Sequence, residues 1–381
     1  MLRKKFTRAA AAGAAALALV GGAAGTASAH SPHTVKHKLS VHVSKAASTW
    51  TGKAPRGATK ANAKPGYTDP TGCNNPWWYL LSNQWIRTTN CYTERFRIDL
   101  ILITDGVPEQ VGEADFTTRS VTTLNTTGLN WSESFTVSAA NLYGEAQTTP
   151  ISMSLLEFTK PNTQETATGG LSGPFTLSST KPTSGTIEYS SKVNKMQAVW
   201  DATHYVLDGP PPPGFQDPIA TGYVGPEWRC DDQFWSRNGR RRNKAPGCVF
   251  PFQAATDAGI LFPSKMFGLP GIRQNIATVQ QNGVHIGRPG YGVPLHRTTE
   301  AQKNANRAAV CDKLKPPSPG LSCDEYPFAS TAEGGTFYAP PNRGIAWVPQ
   351  AEQNQQGGYL SAFYSQNRIL PGDPFYMNVF A

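Results

Sequence analysis

Apolar and polar positions change their rhythm several times along the chain. The opening stretch, "MLRKKFTRAAAAGAAALALVGGAAGTASAH", sets Arg3, Lys4, Lys5 and Arg8 ahead of a short apolar run from Ala9 to Val20 and ends on Ala27-Ser28-Ala29. A basic head, a short apolar centre and a small-x-small end predict a secretory signal peptide over 1–29, cleaved after Ala29. The run is too short to span a bilayer, so a secreted, extracellular chain without a transmembrane segment is expected. Residues 30–70 are polar, basic and poor in large apolar side chains, which predicts a disordered tail.

From 71 to 207 the pattern has a period of two. "RFRIDLILIT", "WSESFTVSAANLY", "TPISMSLLEFT" and "SGTIEYSSKVNKMQAVWDATHYVL" alternate or form short buried runs, separated by turn-rich pieces such as "TATGGLSGP". Short strands at this spacing predict an all-β, sandwich-like domain. The Pro-rich stretch "DGPPPPGFQDP" opens an expected linker over 208–226. Beyond it, 227–381 reads as a small α+β domain. Thr298 or Thr299 caps a helix expected over Thr299 to Lys313, ended by Pro316 and Pro317. Strands are expected at "GTFYA", "GIAWVPQ" and "PFYMNVFA", and a helix or long loop at "AEQNQQGGYLSAFYSQNR". The chain is therefore expected to be multidomain.

Composition adds redox state and charge. All six cysteines lie beyond the leader, no CxxC pair occurs, and an even count outside the cell reads as disulfides. Short separations favour Cys73–Cys91, Cys230–Cys248 and Cys311–Cys323. The formal charge of +9, less the four basic residues of the leader, leaves the mature chain basic, which suits anionic partners. Arg237, Arg240, Arg241, Arg242 and Lys244 fall in the Cys230–Cys248 loop beside Trp228 and Trp235, a pattern suited to gripping a nucleic-acid backbone.

The densest chemistry lies near the C-terminus. Asp324-Glu325-Tyr326-Pro327 follows Cys323, then come Glu333-Gly334-Gly335 and Asn342-Arg343-Gly344, with Asn306-Arg307 upstream. This ordered set resembles the secreted bacterial deoxyribonucleases of the NucA/NucB type, over about the last quarter of the chain. It departs from the small members at Ser322, where they often carry an acid, and at Tyr326, where they often carry Trp. The resemblance implies non-specific endonucleolytic cleavage of DNA assisted by a divalent cation, Mg²⁺ or Mn²⁺.

The residues themselves allow that chemistry. Carboxylates hold a hard cation that neutralises charge building on a phosphodiester. Asp324, Glu325 and Glu333 are the expected metal ligands. Asp324 and Glu325 divide the roles of ligand and general base in an order left open. Adjacent residues on a strand face opposite sides, so both serve one site only on a turn, or with one of them a layer behind. His296 is a further candidate base. Arg297, Arg307 and Arg343 are expected phosphate clamps, with Asn306 and Asn342 orienting water or a ligand. The third disulfide would tie the helix to the acids. DNA is the expected substrate, with an immunity or inhibitor protein as a further partner. The alternative reading is a non-catalytic surface- or polymer-binding protein carrying a degenerate nuclease-like domain.

Overall fold

The computed structural model describes residues 37–45 and 87–380, apart from 149, 159–165, 172–173, 213, 216, 235–238, 241–244 and 258–262. The expected signal peptide, Cys73, and the basic residues Arg237, Arg241, Arg242 and Lys244 lie outside the described residues.

The strands up to residue 250 are β1 (His37–Lys45), β2 (Thr89–Thr104), β3 (Val107–Thr123), β4 (Asn130–Gly144), β5 (Pro150–Phe158), β6 (Thr166–Gly170) and β7 (Phe175–Thr176). They continue with β8 (Thr183–Ser190), β9 (Ala198–Asp201), β10 (Thr203–Gly209), β11 (Ile219–Val224), β12 (Trp228–Asp231) and β13 (Gly247–Val249). One sheet runs β1-β2-β3-β4-β8-β6 and a second β11-β10-β5-β7. Alternation along the strands decides how they meet. Phe116, Phe135 and Ile187 of the first sheet share one apolar core with Ile151, Leu207 and Ile219 of the second, the arrangement a sandwich requires.

Two readings of the sequence change here. Residues 37–45, expected to be disordered, pair antiparallel with the later part of β2, from His37↔Thr104 to Lys45↔Phe96. The Pro-rich stretch is not a spacer between cores, because it joins β10 to β11, which pair directly from His204↔Val224 to Gly209↔Ile219. A third sheet, β13-β12-β9, extends the first core further. Trp228, Cys230, Cys248 and Phe250 all belong to it, so the change of core falls after Phe250. The Cys230–Cys248 disulfide crosslinks adjacent strands, with Cα atoms 4.0 Å apart.

The second core gathers around β14 (Ala255–Asp257), α1 (Pro270–Gln281), β15 (Leu295–His296), α2 (Glu300–Ala309), β16 (Leu321–Tyr326), β17 (Gly344–Pro349), α3 (Gln350–Gln366) and β18 (Pro374–Met377). β18 lies between β14 and β15, and β16 pairs antiparallel with β17. Thr299 caps α2, its hydroxyl accepting from the amide of Gln302 at 3.2 Å. The helix α1 was not expected from sequence. Its signal is Pro270 in the first turn and buried Ile272, Ile276 and Val279 on one face. The expected strand at 335–339 is instead a run of turns, while α3 continues unbroken through Gly357 and Gly358.

Candidate active site

β16 decides the arrangement of the acids. It is a regular strand paired residue by residue with β17, Asp324 opposite Ala346 and Glu325 opposite Ile345, so the two carboxylates leave on opposite sides. Asp324 points to the helix side and is 1% exposed. Its Oδ2 accepts from Asn275 Nδ2 of α1 and its Oδ1 from Gln356 Nε2 of α3, each at 2.8 Å. Gly344 makes room for this, because a side chain there would strike Asn275 Oδ1. Burial pushes the Asp324 acid up to about 6, against the pull of the two amides. Asp324 is thus a caged structural acid. The expectation that it shares a metal with Glu325 fails because the strand pleat separates them.

Glu325 faces the other way. It is 5% exposed, and neither carboxylate oxygen has a hydrogen-bond partner. Burial pushes its acid up to about 7, against the attraction of Arg307; Asp324 and Asp312 raise it further and Arg343 draws it down. Such a group is costly unless something meets it. Arg343 is similarly placed: its Nε is buried without a hydrogen-bond partner, and its Nη1 reaches the Gly335 carbonyl at 3.4 Å. Arg307 is largely at the surface, 3.7 Å from Asp312.

Glu333 is committed to His296 rather than to Glu325. Its Oε2 accepts from the His296 amide at 2.9 Å and its Oε1 meets His296 Nδ1 at 2.8 Å. A carboxylate accepts only, so Nδ1 carries the hydrogen and Nε2 is left as the basic nitrogen. The Glu333 hydrogen bond raises the pKa of His296, against desolvation, with further charge support from Glu333 and Asp373. The imidazole is 40% exposed and reaches solvent. Among the described residues no group of three or more His, Cys, Asp or Glu side chains is gathered to hold a metal. The three-acid site expected from sequence is therefore replaced by one orphaned carboxylate and one His–Glu pair.

The remaining candidates divide. Asn306 is buried and saturated: Nδ2 donates to the carbonyls of Ala329 and Thr331 at 2.9 Å, and Oδ1 accepts from Gln302 at 2.8 Å. It holds the turn that presents Glu333, packed so closely on Gly335, at φ +66, that a side chain there would collide with it. Asn342 accepts from the Val284 amide at 3.1 Å and braces a loop. Arg297 is also spent on structure: it donates to the Ile369 carbonyl and packs over the rings of Tyr364 and Phe234 at 4.9 and 5.7 Å. Arg240 is exposed. The Cys311–Cys323 disulfide, with Cα atoms 5.6 Å apart, fastens the end of α2 to β16 beside the acids.

The whole constellation, from His296 through Glu325 and Glu333 to Arg343, falls in one stretch of sequence. Residues 290–378 match the family model of the deoxyribonuclease NucA/NucB. No curated protein and no solved structure matches the chain. The NucA/NucB match takes in β15, α2, β16, β17, α3 and β18. It leaves out α1, so Asn275, one of the two amides that cage Asp324, stands outside it. The β region also lies wholly outside the NucA/NucB match.

Proposed function

We propose that the protein is a secreted, metal-assisted endonuclease that hydrolyses DNA phosphodiester bonds without sequence specificity. The NucA/NucB match supports a nuclease. The observation that carries the finer reading is Glu325, a buried carboxylate with both oxygens unpartnered. A hard, mostly hydrated cation requires only one or two protein carboxylates, so Glu325 suffices as the protein ligand for Mg²⁺ or Mn²⁺. The bound ion would supply charge neutralisation on the phosphate and the leaving oxygen.

The chain's own groups do the rest. His296 Nε2 accepts the proton of the attacking water, and Glu333 stabilises the imidazolium that results through the bond at Nδ1. The same pair keeps the ring in the tautomer that exposes Nε2. Arg307 and Arg343, which flank Glu325 electrostatically, meet the phosphate oxygens. Asp324 holds β16 to the two helices and so fixes the direction of Glu325. Secretion is consistent with the paired cysteines, and no helix among the described residues is long and apolar enough to cross a membrane.

The test is nicking of supercoiled plasmid DNA by the mature chain with Mg²⁺ or Mn²⁺, repeated with EDTA and with Glu325→Gln. Cleavage that EDTA abolishes, and that the variant lacks while folded, is expected. Full metal-dependent cleavage by E325Q removes Glu325 from the reaction. Salt-sensitive DNA binding without cleavage by the wild type, with metal in excess, replaces the enzyme by a binding protein.

A further inference from the structure

Between the two cores lies a buried network of three arginines and two aspartates, each at most 4% exposed. Arg229 of β12 places Nη1 2.8 Å from Asp373 Oδ1 and Nε 3.3 Å from Asp231 Oδ2. Its Nη2 donates to the carbonyl of Arg368. Arg87 donates to the other oxygen of Asp373 and, at 2.8 Å, to the same Arg368 carbonyl. Arg368 returns the contact by donating to Asp231 Oδ1 at 2.5 Å. Arg87, Arg229 and Asp231 precede Phe250, on the side of the first core, whereas Arg368 and Asp373 belong to the second.

Asp373 lies next to the catalytic strand. Its carbonyl accepts from the Arg297 amide at 3.0 Å, and the Gly372 amide donates to the Arg297 carbonyl at 2.7 Å. Pro374, the next residue, pairs with His296 in the ladder of β15 with β18. The segment that carries His296 is therefore laid along a turn whose one aspartate is held by two arginines from the other core. Exchanging a buried ionic network for apolar groups often leaves stability unchanged or higher. What such fixed, multiply bonded geometry can supply is position.

We propose that Arg229 is a positioning residue of the nuclease centre, acting from the β region through Asp373 to fix the placement of His296. The inference rests on the reading of His296 as general base. A misplacement of about 1 Å at a reacting group costs roughly a hundredfold in rate.

The experiment is a kinetic double-mutant cycle on the full mature chain, using Arg229→Met, His296→Ala and the double variant, with folding checked by near-ultraviolet circular dichroism. R229M is expected to lower kcat by about 10- to 100-fold with KM changed less than about twofold. In the H296A background the same substitution is expected to change kcat by less than about twofold, because the group it places is gone. An equal loss in both backgrounds means that Arg229 serves general stability and overturns the proposal. Wild-type kcat in H296A alone overturns the reading of His296 and not the network. Because Arg229→Met leaves Asp373 with Arg87 as its one arginine and takes a partner from Asp231, which costs stability, Arg229→Lys, which keeps a cation there, is run through the same cycle. For a folded R229K the same two outcomes decide.

Discussion

Replacing Glu325 with glutamine should make the protein more stable while destroying its activity, by an amount that depends on pH. The carboxylate is 5% exposed with no hydrogen-bond partner on either oxygen, and its acid is raised from 4.5 to about 7. A raised acid favours folding while neutral. That contribution is complete below about pH 4.5 and disappears as pH climbs through about 7. The gap between the two values, at 1.36 kcal/mol per pH unit, comes to about 3 kcal/mol. Discounted for partial solvent reach, the cost carried by the wild type at pH 8 is about 2 kcal/mol. Glutamine has the same shape and does not ionise. Denaturant unfolding in EDTA should therefore find E325Q more stable by about 2 kcal/mol at pH 8 and nearly equal to the wild type at pH 4.5. Millimolar Mg²⁺ should narrow the difference at pH 8, because an ion that binds only the folded wild type stabilises it, by about 2.7 kcal/mol at a hundred times Kd. A variant less stable than the wild type at pH 8, or a gap that ignores pH, refutes the argument.

Asp324→Asn sets two opposed effects against each other. It turns an amide donor toward one of the two amides, at about 1–3 kcal/mol, and it removes a buried acid raised from 3.8 to about 6, whose ionised form costs stability above that pH. The net loss should therefore shrink as pH rises through about 6 in urea unfolding, while nicking below the unfolding temperature stays within about tenfold of wild type. A folded but inactive D324N contradicts its structural role. The acid limb of kcat/KM should have its midpoint above 6.5, because Glu333 favours the protonated His296, and Glu333→Gln should move that midpoint down. An unmoved midpoint separates the pair from the reaction. Opening the Cys311–Cys323 loop with paired serines should lower stability by about 3 kcal/mol, measured by urea unfolding. A loss below about 1 kcal/mol means that the bridge adds little to the fold.

Much of the fold was legible because its signals are local. Alternation placed β2, β4, β5 and β8, the Thr299 cap placed α2, and short cysteine separations anticipated the two bridges described. What failed depended on partners distant in sequence. "LSCDEY" carries no mark that says strand rather than turn; pairing with "GIAWVP" decides it, and with it which acid is free. Asn306 and Asn342 resemble site residues in a string of letters, yet Asn306 spends its amide on two carbonyls and Asn342 accepts from the Val284 amide, groups that only the folded chain brings near. Arg297 stands next to His296 in sequence but turns to Tyr364 and Ile369. The buried arginines at 87, 229 and 368 are far apart in the chain and gave no pattern to find. The helix α1 does carry a local signal, in Pro270 and its apolar face.

The pleat of β16 also works as an address. Sliding the strand by one position against β17 would carry Glu325 to the side of the amide cradle of Asn275 and Gln356 and turn Asp324 to the opposite face, without altering a letter. The sulfur bridge at Cys323 and the anchored phenol of Tyr326, donating to Ile286 at 2.8 Å, pin the strand on either side of the two acids. Deleting either residue between those pins would remove one acid outright, while most side-chain substitutions there would leave the orientation of the strand intact.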